Sequence, residues 1–249
     1  MERQEISAIA HGDHPIAAPL SDDSVRVLLD KALPRGNERI LDLGCGQGTW
    51  LIRALADRPE LQAEGVDVDA SAIARAREAA AAAGVADRVV FRAMDAKEFT
   101  SPHRFDLVLS VGAAHAFGGF TSTLDAADGH LASRGGVLIG DGFWERPPGQ
   151  ATLDSGFGAE DYDDLARTID RVRARGWVPL YGHVSTQPEW DDYEWSWSGT
   201  LSRWALDHPE DPDSDQALKA ADEQRADWLR GYRGTLGFLT LYLRRTDAR

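Results

Sequence analysis

The chain has 249 residues, 43% of them hydrophobic and 27% charged, an ordinary composition for a globular protein with room for a sizeable core. Acidic residues outnumber basic ones 41 to 27, and a net charge of −14 repels phosphate backbones, so nucleic acid is not an expected partner. A single cysteine, Cys45, excludes a disulfide framework and a cysteine-based zinc cluster. No apolar run approaches the roughly 20 residues of a membrane span. The N-terminus has no hydrophobic signal core, so the expected address is the cytoplasm.

Residues 1–20 carry no periodic pattern and read as an extended arm. Ser21, Asp22 and Asp23 then open a helix, with acids at the positive end of its dipole, and Pro34 stops it. From Arg39 strands and helices alternate. Strands are expected at 40–43, 61–66, 88–93, 105–110 and 136–139, and helices at 49–56, 70–83 and 121–132. Such units predict a doubly wound α/β sheet with right-handed crossovers. Ligands of such sheets bind beyond the carboxyl ends of the strands.

Composition shifts after residue 140, where seven of the eight tryptophans lie. Helices are expected at 159–175, 189–206 and 215–232, and strands at 178–185 and 236–243. On a helical wheel Trp190, Tyr193, Trp197, Leu201 and Trp204 fall within about 80° of one another, a stripe that reads as core. Trp195 points about 140° away from Trp190 and reads as a second packing contact or a pocket wall. The last strand needs a sheet to join, so one domain is expected over 1–249. It comprises an arm (1–20), a core (21–142), a helical aromatic-rich cap that includes strand six (143–235) and a final strand (236–244).

The central motif is Ile-Leu-Asp42-Leu-Gly44-Cys-Gly46-Gln-Gly48-Thr. A strand runs into a glycine loop that opens a helix, where glycines permit positive φ and close approach of a ligand. The spacing departs from G-x-G-x-x-G, and an acid precedes the first glycine by two residues. A pyrophosphate would not need that carboxylate, whereas an ammonium or sulfonium would welcome it. Asp67 ends the second strand, where an acid can accept from both hydroxyls of a ribose. Asp95 follows the third strand and can accept from an adenine amino group. Asp69 reads as the N-cap of the next helix.

On these residues, together with FDLVLSVGAAH and GGVLIGD, the chain resembles the class I S-adenosylmethionine-dependent methyltransferases over roughly residues 38–142. The resemblance implies a Rossmann-like, seven-stranded sheet with its last strand antiparallel. It implies a cofactor site for S-adenosyl-L-methionine built from Asp42, Gly44, Gly46, Gly48, Asp67, Val68, Asp95, Ala96, Ser110 and Val111. The Asn/Asp-Pro-Pro-aromatic motif of amino-methylating DNA enzymes is missing after strand four, where Ser110 to His115 stand instead. Asp141 and His115 alone do not make a metal site. Phe117, Phe143, Trp144, Tyr162 and Trp195 are the expected acceptor-pocket residues, suited to a small aromatic or apolar acceptor and able to hold a cation. His115, five residues past Ser110, is the candidate general base. The expected function is methyl transfer to a small molecule. The alternative is a protein that binds the same cofactor for a non-methylating or regulatory role. Oligomeric state is not legible.

Overall fold

The computed structural model describes residues 1 and 3–246. Seven strands form one sheet: β1 (Arg39–Leu43), β2 (Gln62–Asp67), β3 (Val89–Ala93), β4 (Phe105–Val111), β5 (Leu131–Trp144), β6 (Trp177–Val184) and β7 (Leu236–Arg245), in the order β3-β2-β1-β4-β5-β7-β6. The pairs β1–β2, β1–β4, β2–β3 and β4–β5 are parallel and β6–β7 is antiparallel. This is the expected doubly wound sheet. β1 lies in the interior of the sheet, between β2 and β4, and its Ile40, Leu41 and Leu43 are fully buried.

The chain divides into two compact units. The sheet unit contains residues 22–141, 166–184 and the segment from 239 on. Its helices are α2 (Asp22–Ala32), α3 (Thr49–Asp57), α4 (Ala70–Ala82), α5 (Phe120–Asp128) and α7 (Leu165–Ala174, which begins at the unit boundary). Asp69 caps α4 as the sequence suggests, accepting from the Ser71 and Ala72 amides at 2.8 and 3.1 Å.

The second unit contains residues 1–21, 142–165 and 185–238. It holds α1 (Arg3–Ala10), the short α6 (Gln150–Asp154), α8 (Gln187–Asp207), α9 (Ser214–Asp227) and a π turn over Trp228–Tyr232. A capping box starts α8: Glu189 Oε2 accepts from the Thr186 amide at 2.8 Å, and Thr186 Oγ1 accepts from the Glu189 amide.

Four expectations are corrected. Residues 3–10 are a helix, not an extended arm. Ile6, Ile9 and Ala10 recur at helical spacing and pack with Leu201, Ala205 and Ala217 of α8 and α9. β5 is longer than 136–139, and α5 ends at Asp128 instead of residue 132. Leu131 already pairs with Phe105, and residues 132–135 bulge before Gly136 pairs with Leu107. The helix expected from residue 159 starts at Leu165. The Trp144 amide donates to Asp163 O at 2.9 Å, and Trp144 bridges Asp164, which draws this stretch into extended pairing. On α8 the fully buried face runs through Glu194, Ser198, Leu201 and Ala205, while Trp190, Tyr193, Trp197 and Trp204 flank it half-buried. A wheel scored on hydrophobicity finds the flanking rings and misses the polar centre between them.

Candidate functional site

In the sheet unit, register aligns the strand ends that matter. Leu43 is the Cα partner of Val66, Asp67 of Ala93, and Val111 of Gly140. The loop after β1 is pinned to β2 because the Gly44 and Cys45 amides both donate to Val66 O, at 2.8 and 3.0 Å. Gly44, Gly46 and Gly48 all have positive φ, of 89°, 51° and 73°. They need glycine for different reasons. A Cβ on Gly44 would strike the Cβ of Ala113, and one on Gly48 would strike the Phe91 ring, whereas Gly46 has nothing within 4 Å of that position. Two glycines therefore fit the loop to its own fold, and the third faces open space where a ligand can approach the backbone.

Asp67 is clamped by two main-chain donors. Its Oδ2 accepts from the Gly46 amide at 2.8 Å and its Oδ1 from the Asp69 amide at 2.9 Å. Each carboxylate oxygen keeps a lone pair for another donor, so the group is oriented and still able to accept from a diol. Asp42 lies beneath the loop and is only 3% exposed. Burial, reinforced by the Asp67 charge, pushes its carboxyl up to about 8. Burial also pushes up the Cys45 thiol between them, and its Sγ lies 3.7 Å from Gly46 O.

Asp95 is exposed and accepts from the Lys97 amide at 2.8 Å, with Ala96 buried beside it. Val68 is 73% exposed. The Ser110 hydroxyl is buried and donates to Leu43 O at 3.0 Å, so it ties β4 to β1, and Val111 is half-buried. His115 is exposed on a short 3-10 turn, Ala114–Phe117, that also carries Phe117. Asp42, the glycine loop, Asp67, Asp95, Ser110, Val111 and His115 thus all belong to the sheet unit and sit at or just past strand ends.

The remaining expected pocket residues belong to the second unit. Phe143 and Trp144 are buried, and Trp144 meets Phe157 and Tyr162 edge-on at 5.9 and 5.3 Å between centroids. Trp195 is 51% exposed and packs edge-on at 5.2 Å against Trp228, which shares a core cluster with Trp144, Phe157 and Tyr162. Sequence reasoning missed Glu194, which is 2% exposed among these rings. Its only sequence signal is its place at i in an i, i+4, i+7, i+11 series with Ser198, Leu201 and Ala205.

The profile of a methyltransferase domain family matches residues 34–159, from just before β1 to beyond β5. The uncharacterized protein YjhP of Escherichia coli is 27% identical over 214 residues, which are 85% of this chain and 86% of that one. Trans-aconitate 2-methyltransferase of Streptomyces avermitilis is 32% identical over 164 residues, 65% of this chain and 59% of the relative. The crystal structure of an S-adenosylmethionine-dependent methyltransferase from Thiobacillus denitrificans, in complex with S-adenosyl-L-homocysteine, superposes with a TM-score of 0.88 at 25% identity, covering 100% of this chain and 99% of that one. The matched stretch is the one that carries Asp42, the three glycines, Asp67 and Asp95, and through it the chain belongs to the methyltransferase domain family.

Proposed function

We propose that the protein transfers a methyl group from S-adenosyl-L-methionine to a small-molecule acceptor. The observation that carries this reading is the pairing of an open, positive-φ Gly46 with a clamped Asp67 above a buried Asp42. Those groups fit the cofactor's parts: a diol for Asp67, a cationic methionine end for Asp42, and close main-chain approach at Gly46. Asp95 and the Ala96 amide complete it on the adenine side. When bound, the cofactor supplies a methyl group already activated on a positive sulfur. The work left to the chain is to hold, align and exclude water, which can supply much of the rate of an in-line displacement.

His115 is the proposed base for an acceptor that must shed a proton. It is exposed on a turn beyond β4, where an imidazole nitrogen can accept a proton. Phe117, Phe143, Trp144 and Tyr162 are the proposed acceptor contacts. Trp195 is a weaker candidate for that role because it lies against Trp228.

The deciding experiment measures S-adenosylhomocysteine formation across a panel of small aromatic and apolar metabolites. One or more acceptors should turn over, with His115→Ala cutting the rate by about 10²-fold at unchanged cofactor affinity. Tight cofactor binding with no turnover on any acceptor would instead favour a non-methylating role. A loss below tenfold in His115→Ala would leave positioning as the whole of catalysis.

A further inference from the structure

The second unit buries a carboxylate that has no cation to neutralise it. Glu194 Oε1 accepts from the Tyr232 hydroxyl at 2.7 Å, and Oε2 accepts from Gln224 Nε2 at 3.0 Å. Gln224 Nε2 also donates to the Tyr232 hydroxyl at 2.8 Å, so the two neutral donors are locked to each other as well. Nearby arginines are engaged elsewhere: Arg203 with Asp13, Arg225 with Asp222 and Arg233 with Asp191, and Arg230 of the turn is exposed. Among the described residues Glu194 has no ion-pair partner. Removing a carboxylate from water without a counter-charge costs several kcal/mol, so an uncompensated one is an anomaly that a purely structural latch does not need. A glutamine would keep the acceptor for the Tyr232 hydroxyl and lose only the one for Gln224.

The surroundings are aromatic. Tyr232, which donates to Glu194, meets Phe157 edge-on at 5.4 Å and Trp190 at 6.2 Å, and Trp190 meets Tyr193 at 6.4 Å. Phe157, Trp190 and Tyr193 are half-buried, so the cluster reaches from Glu194 to the unit's surface. The indole N–H of Trp190 is buried and has no acceptor among the described residues. The turn that delivers Tyr232 is a π turn, closed by the Arg233 amide donating to Trp228 O at 2.9 Å. Such turns recur at functional sites because they displace a side chain from regular helical register. A carboxylate next to a cluster of aromatic rings can recognise an organic ammonium, through charge at one end and cation–π attraction beside it.

We propose that Glu194, with the rings of Trp190, Tyr193, Tyr232 and Phe157, recognises the cationic nitrogen of an organic amine with an aromatic or apolar body. This cation site stands independently of the methyl-transfer reading above. Burial raises the Glu194 carboxyl, and a bound ammonium reverses that effect by supplying the missing charge.

The test is binding to the full chain saturated with S-adenosylhomocysteine, followed by calorimetry and tryptophan fluorescence, with phenethylamine and its uncharged counterpart phenethyl alcohol as probes. The amine is expected to bind at least about tenfold more tightly at pH 7, equivalent to about 1.4 kcal/mol. Glu194→Gln should remove that preference while leaving alcohol affinity and Tm nearly unchanged. Equal affinities, no saturable amine binding, or a preference that survives in Glu194→Gln overturns the proposal. If Glu194→Gln does not fold, Trp190→Leu serves, and must weaken the amine more than the alcohol. Amine binding without methyl transfer to any acceptor sinks the methyltransferase reading and leaves the cation site standing.

Discussion

Asp42 is a carboxyl that the fold holds protonated at neutral pH, and this has a measurable consequence. Its folded pKa of about 8 lies above the unfolded value of 3.8. Its contribution to stability is therefore fully present below pH 3.8 and is lost as pH rises through about 8. A ligand with a positive methionine end draws the proton off. Affinity for S-adenosylmethionine should rise with pH up to about 8 and then level, with proton release seen by calorimetry in buffers of different ionisation enthalpy. Asp42→Asn should abolish the release, and the same release in that variant would assign the proton elsewhere. Asp67→Ala should weaken the cofactor by about 1.5–3 kcal/mol, the scale of hydrogen bonds to a charged group. Asp95→Ala should cost less, because the Ala96 amide and apolar stacking remain, and calorimetry showing the reverse order would exchange their roles. The glycines separate fold from function. Gly44→Ala combines positive φ with a collision against Ala113 and should cost about 2 kcal/mol or more in denaturant unfolding. Gly46→Ala has open space, so it should cost about 1 kcal/mol of stability while reducing cofactor affinity further.

At the scale of elements, α8 and α1 repay attention. The capping box at Thr186 satisfies amides at the start of a 21-residue helix, and Thr186→Ala should lower stability by about 1 kcal/mol in urea unfolding. An unchanged midpoint would mean that Glu189 holds the end unaided, since its Oε1 also accepts from the Ser21 amide at 3.0 Å. His11 directly follows α1, and its Nδ1 lies 2.8 Å from Ser7 O, an oxygen that only accepts. Nδ1 therefore carries the proton, and Nε2, 3.2 Å from the Tyr193 hydroxyl, accepts from it. Burial lowers the His11 pKa, so the folded state favours neutral imidazole. The stability this provides is present above the unfolded value of 6.5 and is lost as pH falls below it. Amide exchange in residues 3–10 should accelerate between pH 7 and pH 5 beyond the intrinsic pH trend, and His11→Gln should blunt the change. The helical character of this segment was hidden in the sequence because only Ile6, Ile9 and Ala10 mark its apolar face, and their partners lie on helices some 190 residues later.

For the whole molecule, the sheet unit carries the proposed cofactor contacts and the second unit carries the aromatic cluster. Ligand that binds only the native state stabilises it by mass action, about 2.7 kcal/mol at a hundredfold excess over Kd. S-adenosylhomocysteine should therefore raise Tm, with new hydrogen-exchange protection concentrated at residues 42–49, 65–69 and 94–97. Protection confined to residues 187–232 would move the cofactor to the other unit.

The strand–helix alternation and the acids at strand ends were legible because their causes are local. Apolar strands, a glycine loop and acids at strand ends are written in short stretches, whereas the seven-stranded count and antiparallel last strand came from the family resemblance and the strand order from the structure. Single residues defined the end of each strand, so Asp42, Asp67 and Asp95 could be named without coordinates. What only tertiary structure decided is what depends on distant partners. Gly46 is open and Gly44 closed because Ala113 approaches one and not the other. Asp67 is clamped because the Gly46 amide, 21 residues earlier, turns back to it. Glu194 is buried because Tyr232 and Gln224, brought in by α9 and the π turn, close over a carboxylate that no hydrophobic pattern would place inside a protein.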